Sequence, residues 1–136
     1  MLKPLFNATY NDAIACSKEA GDWLFGDKPY WILNNGIDIS ADVYAAAHHG
    51  SKTATSQAFL DKVSPTYVVI SAGEGNKYGH PHAEVLNRLR AAGKSVFRTD
   101  EQGTIVATSD GNDITWNCSP SESWKAGEPV SYTHLR

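Results

Sequence analysis

Over residues 41–99 the chain alternates short apolar segments of β character with segments of helical periodicity, and that alternation restricts it to a layered α/β architecture. "ADVYAAA" (41–47) reads as a buried strand of small residues, and "SQAFLDKV" (56–63) follows it as a helix, with Ser56 placed to cap its amino end and Ser64-Pro65 to stop it. "TYVVIS" (66–71) is a second buried strand. "PHAEVLNRLRAAG" (81–93) sets Val85, Leu86, Leu89 and Ala92 on one face at helical spacing, with Pro81 in the first turn and Gly93 as the C-cap. "KSVFRT" (94–99), "GTIVATSDG" (103–111) and "NDITWN" (112–117) are further β segments, the last two joined by a Ser-Asp-Gly-Asn turn suited to a hairpin. Upstream, "DAIACSKE" (12–19) and "DWLF" (22–25) read as a strand pair, and "KPYWILNNG" (28–36) as a short helix that ends at Gly36.

Size and composition narrow the function classes. A chain of 136 residues holds one ordinary domain or part of one, and 41% hydrophobic with 20% charged residues is the balance of a chain that packs a core. Apolar runs such as "YVVI" (67–70) fall far short of the roughly 20 residues of a membrane span, and no secretory signal pattern opens the sequence. The segment is therefore expected to make no membrane contact itself. It would be cytoplasmic if it stands alone, or extracytoplasmic if it belongs to a membrane-embedded protein. A net charge of −3 creates no basic field that would gather a polyanion, so such a substrate has to be held locally. Cys16 and Cys118 are isolated, which indicates neither a disulfide framework nor a cysteine zinc site. Residues 119–136 carry two or more turn formers and no apolar periodicity, the composition of an irregular tail that buries little. The last seven, "VSYTHLR", resemble one reading frame of a transposon-based sequencing adaptor, so His134 is set aside.

Four of the five histidines fall into two tight clusters, His48-His49 and His80-Pro81-His82, each in a loop that follows a buried strand. Both clusters are thereby expected at one carboxyl edge of one sheet. Imidazole is the commonest metal ligand and the side chain best suited to proton transfer near neutral pH. Glycines at 50, 73, 75 and 79 allow close approach of backbone to a ligand, while Ser51, Thr53, Thr55 and Ser56 offer hydroxyls to an oxyanion. A hard oxygen ligand would come from Asp27, which follows Gly26 at the end of a short apolar strand.

Taken in order, "LFGD", "ADVYAAAHHGSKTATSQAFLDKVSP", "YVVIS" and "YGHPHAEVLNRLRAAGKSVFRTDEQGTIVATSDG" resemble the carboxyl-terminal half of a metallo-β-lactamase-fold hydrolase, and within that superfamily the hydrolase domain of ComEC-type competence proteins and their stand-alone relatives. The resemblance covers about residues 12–117 and is densest over 41–111. It implies part of an αββα sandwich over residues 1–118, with a mixed sheet, flanking helices and apolar strand faces left bare where the other half would pack. It also implies two divalent metal ions, zinc or manganese, with Asp27 and His48 as metal ligands. His49 and His80 take catalytic positions, and Ser51, Lys52 and His82 contact substrate phosphate. Which of His48 and His49 touches metal stays open at this level. The superfamily's HxHxDH run is absent from the chain, so the resemblance points to a fragment of a phosphodiesterase or nuclease that needs a missing amino-terminal half, inactive as it stands. In a complete uptake protein the substrate would be single-stranded DNA. A non-catalytic remnant or accessory domain is the alternative, and hydrolysis of an ester, thioester or lactam a third. Seven basic against five acidic residues between positions 47 and 103 do not by themselves specify DNA.

Overall fold

The computed structural model describes residues 38–129. The expected upstream strand pair and short helix, Asp27 and residues 130–136 lie outside the described residues.

Three strands, β1 (Val43–Ala45), β2 (Tyr67–Ile70) and β3 (Ser95–Arg98), form a parallel sheet in the order β1-β2-β3, with Val43 opposite Tyr67 and Tyr67 opposite Ser95. Parallel neighbours require crossovers, which are filled by helices α1 (Gln57–Val63) and α2 (Ala83–Ala91). Local chemistry sets their ends. The Ser56 hydroxyl accepts the Phe59 amide N–H at 3.2 Å, and Ser64 turns left-handed at φ 47° to stop α1. At the end of α2, Gly93 takes φ +66° while its N–H donates to the Arg90 carbonyl and that of Lys94 to the Leu89 carbonyl, both at 3.0 Å. That is the paired bonding of a Schellman ending, which a glycine permits without strain. Pro81 lies two residues ahead of α2, outside the first turn expected for it, and His82 occupies the N-cap.

Val68 and Ile70 of β2, Tyr44 of β1 and Val96 of β3 pack with Phe59, Leu60 and Val63 of α1 and Val85, Leu86 and Leu89 of α2 in one buried cluster. Each fully buried aliphatic side chain contributes about 1.5–3 kcal/mol, so this layer holds the strand ends in place. Phe97 of β3 stacks instead on Trp116, with ring centroids 3.9 Å apart, and Tyr67 tilts against Trp116 at 5.2 Å. Trp116 belongs to the hairpin β4 (Ala107–Ser109) and β5 (Ile114–Trp116), whose turn is closed by the Asp110 carboxylate accepting the amide N–H groups of Asp113 and Asn112. Those donors hold the Asp110 pKa below the usual carboxylate value.

Among the described residues the three-stranded sheet is parallel throughout, and the hairpin forms a separate antiparallel pair. Every β4 side chain is exposed and the hairpin docks through the Trp116 stack, so aromatic packing takes the place of edge pairing. Trp116 covers the rings of Tyr67 and Phe97, and among the described residues the large exposed apolar side chains are Tyr78 and Val106. A four-residue helix, α3 (Thr99–Gln102), follows β3 and is too short to show periodicity in sequence.

The tail is irregular over 119–129, as its composition predicts, but it is not loose. The Ser121 N–H donates to the Val96 carbonyl at 2.7 Å, and Trp124 packs against the core. Arg98, 1% exposed, donates to the carbonyls of Ser123 and Lys125 and pairs through two nitrogens with Asp100 and through a third contact with Glu101. A buried guanidinium needs all its donors satisfied, and the tail's backbone supplies two acceptors that helix α3 cannot. Among the described residues no helix is long and apolar enough to cross a membrane.

Candidate functional site

Because β1, β2 and β3 run parallel, the loops that follow them leave from one edge, which is where α/β sheets place their ligands. The loop after β1 begins as a one-turn 3-10 segment, Ala47–Gly50, and in it His48, His49 and Gly50 are consecutively left-handed at φ 50°, 56° and 76°. A left-handed conformation disfavours any residue with a Cβ by about 1–2 kcal/mol, so two adjacent histidines there are held by surrounding contacts. Gly50 is one of those contacts. A Cβ on it would lie 2.7 Å from Pro81 Cβ and 3.3 Å from Ile70 Cγ2, and its carbonyl accepts the His82 N–H at 3.0 Å. The loop is fastened further along by Thr55, left-handed at φ 55° and fully buried, whose hydroxyl bonds that of Tyr44 at 3.0 Å.

The loop after β2 is organised by Asn76. Its carboxamide oxygen accepts the N–H groups of Tyr78 and His80, and its nitrogen donates to the carbonyls of Gly73 and His80. Thr99, the first residue of α3 after β3, both accepts the Ala72 N–H and donates to the Ala72 carbonyl, at 2.9 and 2.8 Å. From the other side the tail closes in. Gly127 donates to the Pro81 carbonyl at 2.9 Å and lies so close to the Gly79–His80 backbone that a Cβ would overlap the His80 carbonyl oxygen.

The two loops bring together the histidines that sequence spacing singles out. The ring centroid of His80 lies 5.4 Å from that of His48, 6.0 Å from His49 and 4.6 Å from His82. His48 and His49 are exposed; His80 is buried. Burial, and after it the neighbouring imidazoles of His82, His48 and His49, holds the His80 pKa below its ordinary value, so it is neutral at pH 7. The Nδ1 of His49 donates to the Ser71 carbonyl at 2.7 Å, which puts the lone pair on Nε2. His82 is different in kind: its Nδ1 accepts the Lys52 N–H at 2.9 Å, tying the two loops together, and its Nε2 donates to the Tyr78 carbonyl at 3.0 Å, bracing its own loop, so both nitrogens are engaged. The hydroxyls of the serine and threonine run are also engaged within the chain. Ser51 and Thr53 bond each other at 3.0 Å, and Thr55 and Ser56 serve Tyr44 and the α1 cap. Lys52 is exposed beside them. A cavity of about 190 Å³ opens between His49, Ala72, Gly73, Asn76, Tyr78 and His80.

A ligating histidine characteristically donates its other ring nitrogen to a carbonyl or carboxylate, as His49 does to Ser71. The described residues by themselves do not complete a metal cage: no group of three or more His, Cys, Asp or Glu side chains among them is arranged to hold an ion. Asn76, Thr99 and Tyr78 were not singled out by sequence. For Asn76 the signal is present in "GNKYG", since asparagine among glycines is turn chemistry.

A parallel α/β layer with a histidine-lined cleft at its carboxyl edge is thus the class of molecule that the geometry defines. Its sequence relatives make this more particular. The chain is similar to ComE operon protein 3 of Bacillus subtilis, 43% identical over 74 residues that make up 54% of this chain and 10% of the relative. It is 44% identical over 70 residues to Competence protein ComA of Neisseria gonorrhoeae, covering 52% of this chain and 10% of that protein. Recombination protein 2 of Haemophilus influenzae is 39% identical over 64 residues, 47% of this chain and 8% of the relative. The matched stretch spans about a tenth of the length of these relatives. No family model and no solved structure matches the chain.

Proposed function

We propose that this chain forms part of a phosphodiester-cleaving hydrolase site of the metallo-β-lactamase type that serves DNA uptake, with single-stranded DNA as its substrate. The observation that carries this reading is the convergence of His48, His49 and His80 from two different strand-end loops, in a strained backbone that packing holds in shape. The likeness to a competence protein adds to it. Divalent ions would supply Lewis acidity toward a phosphoryl group, and Asp27 with His48 or His49 would hold them together with ligands from a further segment. The chain's own residues do the rest. His49, oriented through Ser71, presents Nε2 as an acceptor to a proton or a cation. Neutral His80 accepts or relays a proton in the buried wall of the cleft. Lys52 offers charge to a phosphate, while Ser51 and His82 shape the loops that carry these groups.

The reading is tested with a fluorescent single-stranded oligonucleotide at low salt. The chain alone should bind it, and His49→Ala should weaken that binding. Mixed with a polypeptide carrying the HxHxDH half, the chain should cut the strand in the presence of manganese, and a chelator should stop the reaction. No binding by the chain alone overturns the proposal.

A further inference from the structure

Tyr78 stands apart from the catalytic groups. The residue is 63% exposed, yet its backbone is pinned on both sides, the N–H on Asn76 and the carbonyl under His82. The ring stacks on His80 with centroids 5.6 Å apart and planes 22° from parallel, and it borders the cavity beside His49. The ammonium of Lys77, itself exposed, lies 5.0 Å from the ring centroid. A large aromatic surface that is both exposed and held rigid has little conformational entropy left to lose when something stacks on it. An adjacent cation on a flexible stem can exchange the ring for a phosphate. Those two elements, a fixed aromatic plane and a mobile positive charge, are what recognition of single strands by base stacking requires.

Resting on the function proposed above, we infer that Tyr78 is a nucleobase-stacking platform at the mouth of the histidine cleft, with Lys77 taking the phosphate next to the stacked base. The site would then read its substrate as a nucleic acid strand and not as a bare phosphodiester. The stack reaches from Tyr78 through His80 toward His49, whose centroid lies 6.0 Å from that of His80 at an interplanar angle of 29°. A base on Tyr78 would extend that stack outward from the imidazoles.

The test compares two probes of equal length and charge, oligothymidylate and an abasic deoxyribose-phosphate strand, by fluorescence anisotropy with the full chain and with Tyr78→Phe and Tyr78→Ala. The full chain should bind oligothymidylate about 5- to 100-fold more tightly than the abasic strand; Tyr78→Phe should keep that preference and Tyr78→Ala should abolish it, leaving abasic binding unchanged. Equal affinity of the full chain for the two probes overturns the stacking inference while leaving the phosphodiester reading in place, as does a preference that survives Tyr78→Ala. Failure of the full chain to bind either strand overturns both.

Discussion

Gly50→Ala measures how much the docking of the two histidine loops on each other contributes to the fold. Two effects add at this position. The first is the left-handed backbone, φ +76°, which opposes any Cβ by about 1–2 kcal/mol. The second is contact: the new methyl would sit 2.7 Å from Pro81 Cβ and 3.3 Å from Pro81 Cα and Ile70 Cγ2, none of which is the free end of a flexible chain, and overpacking of this kind costs about 1–3 kcal/mol. The sum, about 2–5 kcal/mol, is a large part of the roughly 5–15 kcal/mol that holds an ordinary domain together. Gly93→Ala separates the two effects, because Gly93 is also left-handed at φ +66° but an added Cβ meets nothing within 4 Å. Urea denaturation of both variants, followed by tryptophan fluorescence, should show Gly93→Ala losing about 1–2 kcal/mol and Gly50→Ala a further 1–3 kcal/mol or so. His48 and His49 should shift in the NMR spectrum of Gly50→Ala and stay unmoved in that of Gly93→Ala. Equal losses in the two variants would refute the claim that the loops are locked by close contact at Gly50.

Further outcomes follow from the same geometry. The His80 pKa is lowered in the folded state, so the unfolded chain binds the proton more readily; stability should be complete above about pH 6.5, fall as pH drops from there toward the depressed folded value, and level off below it. Denaturation midpoints measured between pH 4.5 and 7.5 in a chelating buffer should show that slope, and a His80→Asn variant that keeps all of it would assign the effect elsewhere. Arg98→Ala should cost about 3–5 kcal/mol, since it strands the buried Asp100 carboxylate and frees the carbonyls of Ser123 and Lys125. Limited proteolysis should then cut within 119–129, and a variant that resists cleavage like the parent would show that the tail is held by other means. Truncation after Cys118 should lower the melting temperature by several degrees, as it removes Trp124 from the core and the Ser121 bond to Val96; an unchanged melting curve would make those contacts incidental.

What could be read from the sequence is what nearest neighbours determine. The apolar face of α2, the Ser56 cap and the Gly93 ending are all encoded within one or two turns, where helical period and side-chain chemistry act directly. The strand segments among the described residues were legible for the same reason, and the placement of both histidine loops after strands made their meeting at one edge foreseeable. The roles within that edge were not. His82 has the same composition-level signature as His49, yet its two nitrogens are consumed by Lys52, 30 residues away, and by Tyr78, whereas His49 keeps one nitrogen free because Ser71 takes only the other. Likewise Arg98 and Ser121–Lys125 carry no local mark of their partnership, and a tail of turn-forming composition becomes a strap because a buried guanidinium lacked acceptors. The left-handed backbone of His48 and His49 is the extreme case, since two consecutive residues with a Cβ seldom adopt it. Only contacts between distant segments, Gly50 on Pro81 and Tyr44 on Thr55 among them, add up to enough to hold it, and their strength depends on how closely surfaces fit after the chain has folded.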